Sequence, residues 1–179
     1  ITPPNNVKLI NVVREYLCKT ILDVKNSIDP FRNVRTYKRV ARKVYLKFQK
    51  TKRKTKKFIR KQRKKMIQYV NRNINQLGTL LAEAKTQIIQ EGSTLKQWRY
   101  DQIVNKLNVA KTILEQQMYM ATTKGRKVAN RIVSFHWPEI RPMVRGKEGR
   151  RVEFGTNAHV ALVDGYALLD HSQFGTVAK

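Results

Sequence analysis

Along the first 120 residues, apolar side chains recur every three or four positions and predict four helices. From about Asn5 to Asn26 they fall at Leu9, Ile10, Val13, Leu17, Ile21 and Val24, one stripe of a 3.6-residue period. Asp29-Pro30 ends that helix, because proline turns its predecessor away from helical dihedrals. A second helix is predicted from Thr36 to Gln49. Tyr37, Val40, Ala41, Val44, Tyr45 and Phe48 form its apolar face, and Arg39, Arg42, Lys43 and Lys47 form the other. A third is predicted from Lys56 to Gln90, with a stripe of Phe58, Gln62, Val70, Ile74, Leu77, Leu81, Ala84 and Ile88. After a break at Gly92-Ser93, Ser93 or Thr94 is placed to cap a fourth helix from Leu95 to Met120. Its stripe is Trp98, Ile103, Leu107, Ala110, Leu114 and Met118. Two long amphipathic helices joined by a short turn predict an antiparallel hairpin.

Beyond Lys124-Gly125 the period changes. Arg131–Phe135 reads as a short strand or extended segment, and Pro138 and Pro142 keep the next stretch irregular. Arg151 to Val163 alternates as one strand. Asp164-Gly165 is a two-residue turn signal, and Tyr166–Asp170 returns as its partner. A single hairpin is marginal alone and needs further sheet or a helix beside it.

Charge changes the picture most. Between Pro30 and Ala82 there are 19 Lys or Arg and no Asp or Glu, out of a net charge of +26. The densest run is Lys50-Thr51-Lys52-Arg53-Lys54-Thr55-Lys56-Lys57. Like charge at this density repels itself unless a polyanion neutralises it, and low apolar content with high net charge favours disorder without a ligand. Rigid basic helices suit the phosphate backbone rather than base readout, so nucleic acid is the expected partner. Lys52, Arg53, Lys56, Lys57, Arg60, Lys61 and Lys64 are the expected phosphate contacts, with Tyr37, Tyr45 and Phe48 packing in the core. The loop Arg145-Gly146-Lys147-Glu148-Gly149-Arg150-Arg151 is either a further backbone contact, through Arg145 and Lys147, or an exposed turn.

Cys18 is the one cysteine. It excludes an internal disulfide and a Cys-rich zinc site, and is expected to pack as a small apolar residue. With no span of the length a bilayer needs and no signal-peptide order, the expected location is cytoplasmic, nucleoid-associated, with no membrane partner. The chain begins with Ile1 rather than Met, as a piece of a longer protein would.

The C-terminal third carries a resemblance. Arg141-Pro142-Met143-Val144-Arg145-Gly146-Lys147, then Val152-Glu153-Phe154-Gly155, then Val163-Asp164-Gly165-Tyr166-Ala167-Leu168-Leu169-Asp170-His171 resemble a group of bacterial insertion-sequence transposases. These are DDE enzymes with an RNase H-like catalytic domain. Arg35-Thr36-Tyr37, Ala41-Arg42-Lys43 and Tyr45-Leu46 look like the helical insertion these enzymes carry, and Arg131-Ile132-Val133-Ser134 fits the approach to their second strand. The resemblance implies DNA strand cleavage and joining with Mg2+ in the intact enzyme, and leaves room there for a homo-oligomer.

Carried over, the first catalytic aspartate would precede Ile1. The second aspartate would follow His171, and the glutamate would lie further on. None of the three falls in the chain, so no catalytic or metal-binding residue is assigned to it, and it reads as an internal or decayed fragment. Asp164 is accounted for by the turn, Asp170 by a strand end, and Glu153 by a surface ion pair; three acids on one hairpin make a poor triad. His136, His159 and His171 have no short ligand spacing.

The expected fold is α+β: long basic α-helices over residues 1–127, as a helical insertion, then a β-hairpin of an incomplete RNase H-like fold over 128–179. The expected function is that of a transposase fragment that binds DNA. The alternatives are a stand-alone non-specific nucleic-acid-binding helical protein and a helical-hairpin assembly protein. The last would associate through the Val70–Ile88 and Ile103–Met118 stripes.

Overall fold

The computed structural model describes residues 6–90, 94–123, 128–144, 152–155 and 157–173. The chain is α+β, with four helices followed by four short strands. The helices are α1 (Asn6–Ile28), α2 (Lys38–Lys50), α3 (Lys56–Ile89) and α4 (Gln97–Thr122). All six stripe residues predicted for α1 are buried, and α1 lies mainly against α3. Asp29 ends α1 by accepting the Phe31 N–H at 2.9 Å on its carboxylate.

Hydrogen bonds between helices set their directions. The Asn73 amide donates to Cys18 Sγ at 3.2 Å near the middle of α1 and α3, and Arg32 pairs with Glu83 beyond the end of α1, so α1 and α3 run parallel. The Gln117 amide donates to Asn6 Oδ1 at 3.2 Å, and Arg63 donates to the Met120 carbonyl at 2.9 Å, so α4 runs against both. The predicted α3–α4 hairpin is therefore antiparallel. α2 folds back along the first half of α3, with Phe48 stacked 6.3 Å from Phe58 and Tyr37 6.4 Å from Tyr69. Because α3 meets α1 on one side and α4 on another, its buried face is wider than its stripe. Met66, Ile67, Asn73 and Leu80 join it, while Ile88 is only half-buried.

Several expectations are corrected. The basic block is not left without structure. Ala41 and Phe48 of α2 close onto α3, which buries enough apolar surface to hold both helices. Val40 stays exposed on α2, and Trp98 and Met118 on α4, because no element covers those faces; Ile113, Gln117 and Met120 are buried instead. Lys96 is the N-cap of α4 and makes no side-chain cap; Thr94 donates instead to the Ser27 carbonyl, at 3.4 Å, and Ser93 lies outside the described residues. Thr55 caps α3, accepting the Phe58 N–H at 3.2 Å. Thr55→Ala should cost about 1 kcal/mol, read as faster amide exchange in the first turn of α3.

Arg131–Phe135 is not a strand. It crosses the bundle as irregular chain and pairs with side chains rather than a ladder. Ile132 N donates to Gln116 Oε1 at 3.0 Å, and Lys106 donates to the His136 carbonyl at 3.1 Å. Ile132 and Phe135 are buried, and the Phe135 ring lies 5.0 Å from Tyr16, so the helical core takes in residues beyond Lys127.

The strands are β1 (Arg141–Val144), β2 (Val152–Gly155), β3 (Asn157–Val163) and β4 (Tyr166–Gln173). β1 pairs antiparallel with β2, and β3 with β4, as two separate ladders. Pro142 thus sits within a strand, tolerated because a two-stranded ladder has outer edges that need no N–H donor. The single strand predicted from Arg151 to Val163 is divided between two ladders. Asp164 (φ 51) and Gly165 (φ 83) form the predicted turn, with both φ positive as a type I′ hairpin turn requires.

Neither ladder packs on a helix among the described residues. Along the hairpin, Val160 and Leu162 share one face, and Ala161 and Leu168 share the other with Val163 and Tyr166. All are exposed, Leu162 to 79%.

Candidate nucleic-acid interface

The α3 helix is 34 residues long and outruns its neighbours. Arg63 stands level with Met120, near the end of α4, so Lys56–Gln62 reach about 10 Å past it at 1.5 Å per residue. α2 and the start of α3 therefore form a two-helix arm, with residues 51–55 at its tip. Phe48 and Phe58 stack inside the arm. Lys54 rests over the Phe48 ring at 5.4 Å and donates to the Thr51 carbonyl at 2.6 Å, so the tip is closed by its own lysine.

All seven predicted contacts within the helical region lie on this arm. Lys52, Arg53, Lys56, Lys57, Arg60, Lys61 and Lys64 are all exposed. On α3, Lys56, Lys57, Arg60, Lys61 and Lys64 fall within about 140° of the helix circumference at 100° per residue. They share one face, away from the stripe of Phe58, Gln62 and Met66. Arg145 and Lys147 lie outside the described residues, as does the rest of their loop through Arg151.

Among the described residues there are two ion pairs, Arg14–Glu15 and Arg32–Glu83. None of the cations from Lys38 to Arg72 has an acidic partner among the described residues. Their repulsion is relieved only by counterions or a bound polyanion.

The structure adds residues that the sequence pattern did not single out. Half-buried Arg63 has its pKa lowered by desolvation first, then by the charges of Arg60 and Arg131. Arg131 is also lowered, by burial, and its Nε has no partner among the described residues. Three guanidiniums thus gather where the arm meets the bundle. Arg72 lies 4.2 Å over the ring of Tyr37, which has a positive φ of 52° just before α2.

Phe48 is a core residue and Tyr45 half-buried, so the arm's aromatic groups mainly build it. Tyr37 is the exception, 38% exposed. Within the bundle, Arg14 is 1% exposed, with Asn11 accepting two of its N–H groups at 3.1 and 2.8 Å. It also approaches Cys18, which is buried as expected but sits in a polar group with Asn73 and the Thr36 carbonyl.

No family model, curated protein or solved structure matches the chain.

The carboxylates present do not fit the magnesium centre that the transposase resemblance implies. Glu153 is on β2, in the other ladder from Asp164 and Asp170, which corrects their placement on one hairpin. Asp164 sits at the turn, and Asp170 lies four residues into β4, about 13 Å along the strand at 3.3 Å per residue. Two ions about 4 Å apart need their ligands far closer than that. Among the described residues, no group of three His, Cys, Asp or Glu is placed to hold a metal. His159 and His171, 12 residues apart in sequence, are direct partners in the β3–β4 register. That pairing was invisible to ligand spacing. Nor is any helix long and apolar enough to cross a membrane, among the described residues.

Proposed function

We propose that this chain is the DNA-handling helical region of a DDE-class insertion-sequence transposase, joined to strands of its RNase H-like sheet. The arm carries the proposal: seven exposed cations on a two-helix projection without one acidic partner among the described residues. Such a surface attracts phosphate by counterion release and does not read base sequence, so binding is non-specific and strongly salt-dependent. The hairpin supports the sheet assignment, because strands apolar on both faces belong inside a layer covered on both sides. In the intact enzyme, strand cleavage and joining would use magnesium held by carboxylates outside this chain, in the cytoplasm and at the nucleoid.

A stand-alone nucleic-acid-binding protein is the second reading. It is favoured by the helical core, which closes on itself through α1, α3 and α4 without help from either ladder. The coding sequence on both sides of this segment separates the two. An aspartate-bearing strand upstream, with Asp- and Glu-bearing segments downstream, supports the transposase. Clean start and stop codons without such segments overturn it and leave the stand-alone binder.

A further inference from the structure

Between α2 and α3 lies a cleft of about 280 Å3, lined by Lys43, Val44 and Lys47 from one helix and Phe58, Lys61, Gln62 and Lys65 from the other. Each helix contributes two lysines four residues apart, about 6 Å along the axis. Two columns of ammonium groups therefore border one narrow slot. Its floor is apolar: Val44 and the Phe58 ring, which is braced by Phe48 at an interplanar angle of 5°.

Gln62 gives the second observation. The residue is 5% exposed and lines the slot, and its amide atoms are not among the buried polar atoms left without a partner, so they reach solvent there. An amide that opens on the slot offers one acceptor and two donors to a ligand held there.

We infer that this slot holds one unpaired nucleotide of a single nucleic-acid strand. Its phosphates would meet the lysine columns, and its base would lie on Phe58 with its edge at Gln62. The inference rests on the proposed nucleic-acid binding and narrows it. Two strands paired as a duplex are too wide to enter a cleft of this volume, whereas a phosphate-and-base unit matches its cationic walls and aromatic floor. Lysines that track the backbone, with one aromatic that stacks a base, are the usual parts of a single-strand site. The duplex would instead lie along the outer face, on Lys52, Arg53, Lys56, Lys57, Arg60 and Lys64, with Lys61 at the border and within reach of either.

The test is fluorescence polarisation of the full chain with labelled oligo-dT, oligo-U and a mixed-sequence duplex of equal length. Two variants are compared with the wild type. K43Q/K47Q/K65Q removes wall charges that are all exposed and outside the seven outer contacts. Phe58→Leu keeps apolar volume but removes the stacking face. Each variant is expected to lose about tenfold in single-strand affinity while duplex affinity stays within about threefold. Oligo-dU is added beside oligo-dT and oligo-U, and whichever of oligo-dU and oligo-U binds more tightly identifies the sugar the slot accepts. Equal losses on single strand and duplex, or no loss on either, overturn the slot while leaving non-specific binding intact. Wild-type chain that binds neither form overturns both proposals.

Discussion

Replacing Lys52, Arg53, Lys56, Lys57, Arg60, Lys61 and Lys64 together with glutamine should weaken duplex binding about a thousandfold at 0.1 M salt. The expectation follows from counterion release, in which each neutralised phosphate contributes about 0.9 to the slope of log K against log salt. Seven lost contacts remove about six from that slope, and affinity falls with it. The fold should survive, since all seven side chains are exposed and Gln is as good a helix former as Lys or Arg. Removing seven like charges from one arm also relieves self-repulsion, so the variant should melt at the same temperature as the wild type or higher in the absence of DNA. A melting temperature well below wild type would mean that the cations hold the arm together rather than serve a ligand.

Leu77→Ala should have the largest effect on stability. Leu77 is fully buried in α3, where that helix meets its neighbours in the core cluster. Truncation removes apolar contacts and leaves a cavity the surrounding helices fill only in part, at about 3 kcal/mol. For a chain of this size that lowers the melting temperature by roughly 6 to 12 °C. DNA affinity measured below the transition should stay within about twofold, because Leu77 lies far along α3 from the arm. Calorimetry and polarisation on the same preparation separate the two effects.

The helices were legible because each carries a local apolar period, and their ends lie within two residues or so of where caps and prolines put them. The hairpin turn was legible because Asp164-Gly165 has local chemistry for positive φ. What was hidden depends on contacts between distant residues. Arg131–Phe135 reads as a short strand or extended segment, yet Ile132 and Phe135 are spent on the helical core. Trp98 and Met118 fit the α4 period, but nothing covers them.

The interface divides in the same way. An acid-free block marks the exposed cations of the arm from composition alone. The slot was not legible, because Lys43 and Lys65 are 22 positions apart and meet only once α2 folds back on α3.

The central claim, that the arm is a phosphate-binding surface, is tested most directly by wild-type affinity for duplex DNA across a salt series. Two duplexes of unrelated sequence are used. Seven contacts predict a slope of log K against log salt near −6, the same for both sequences. A slope near zero, or tight binding to only one duplex, would contradict it.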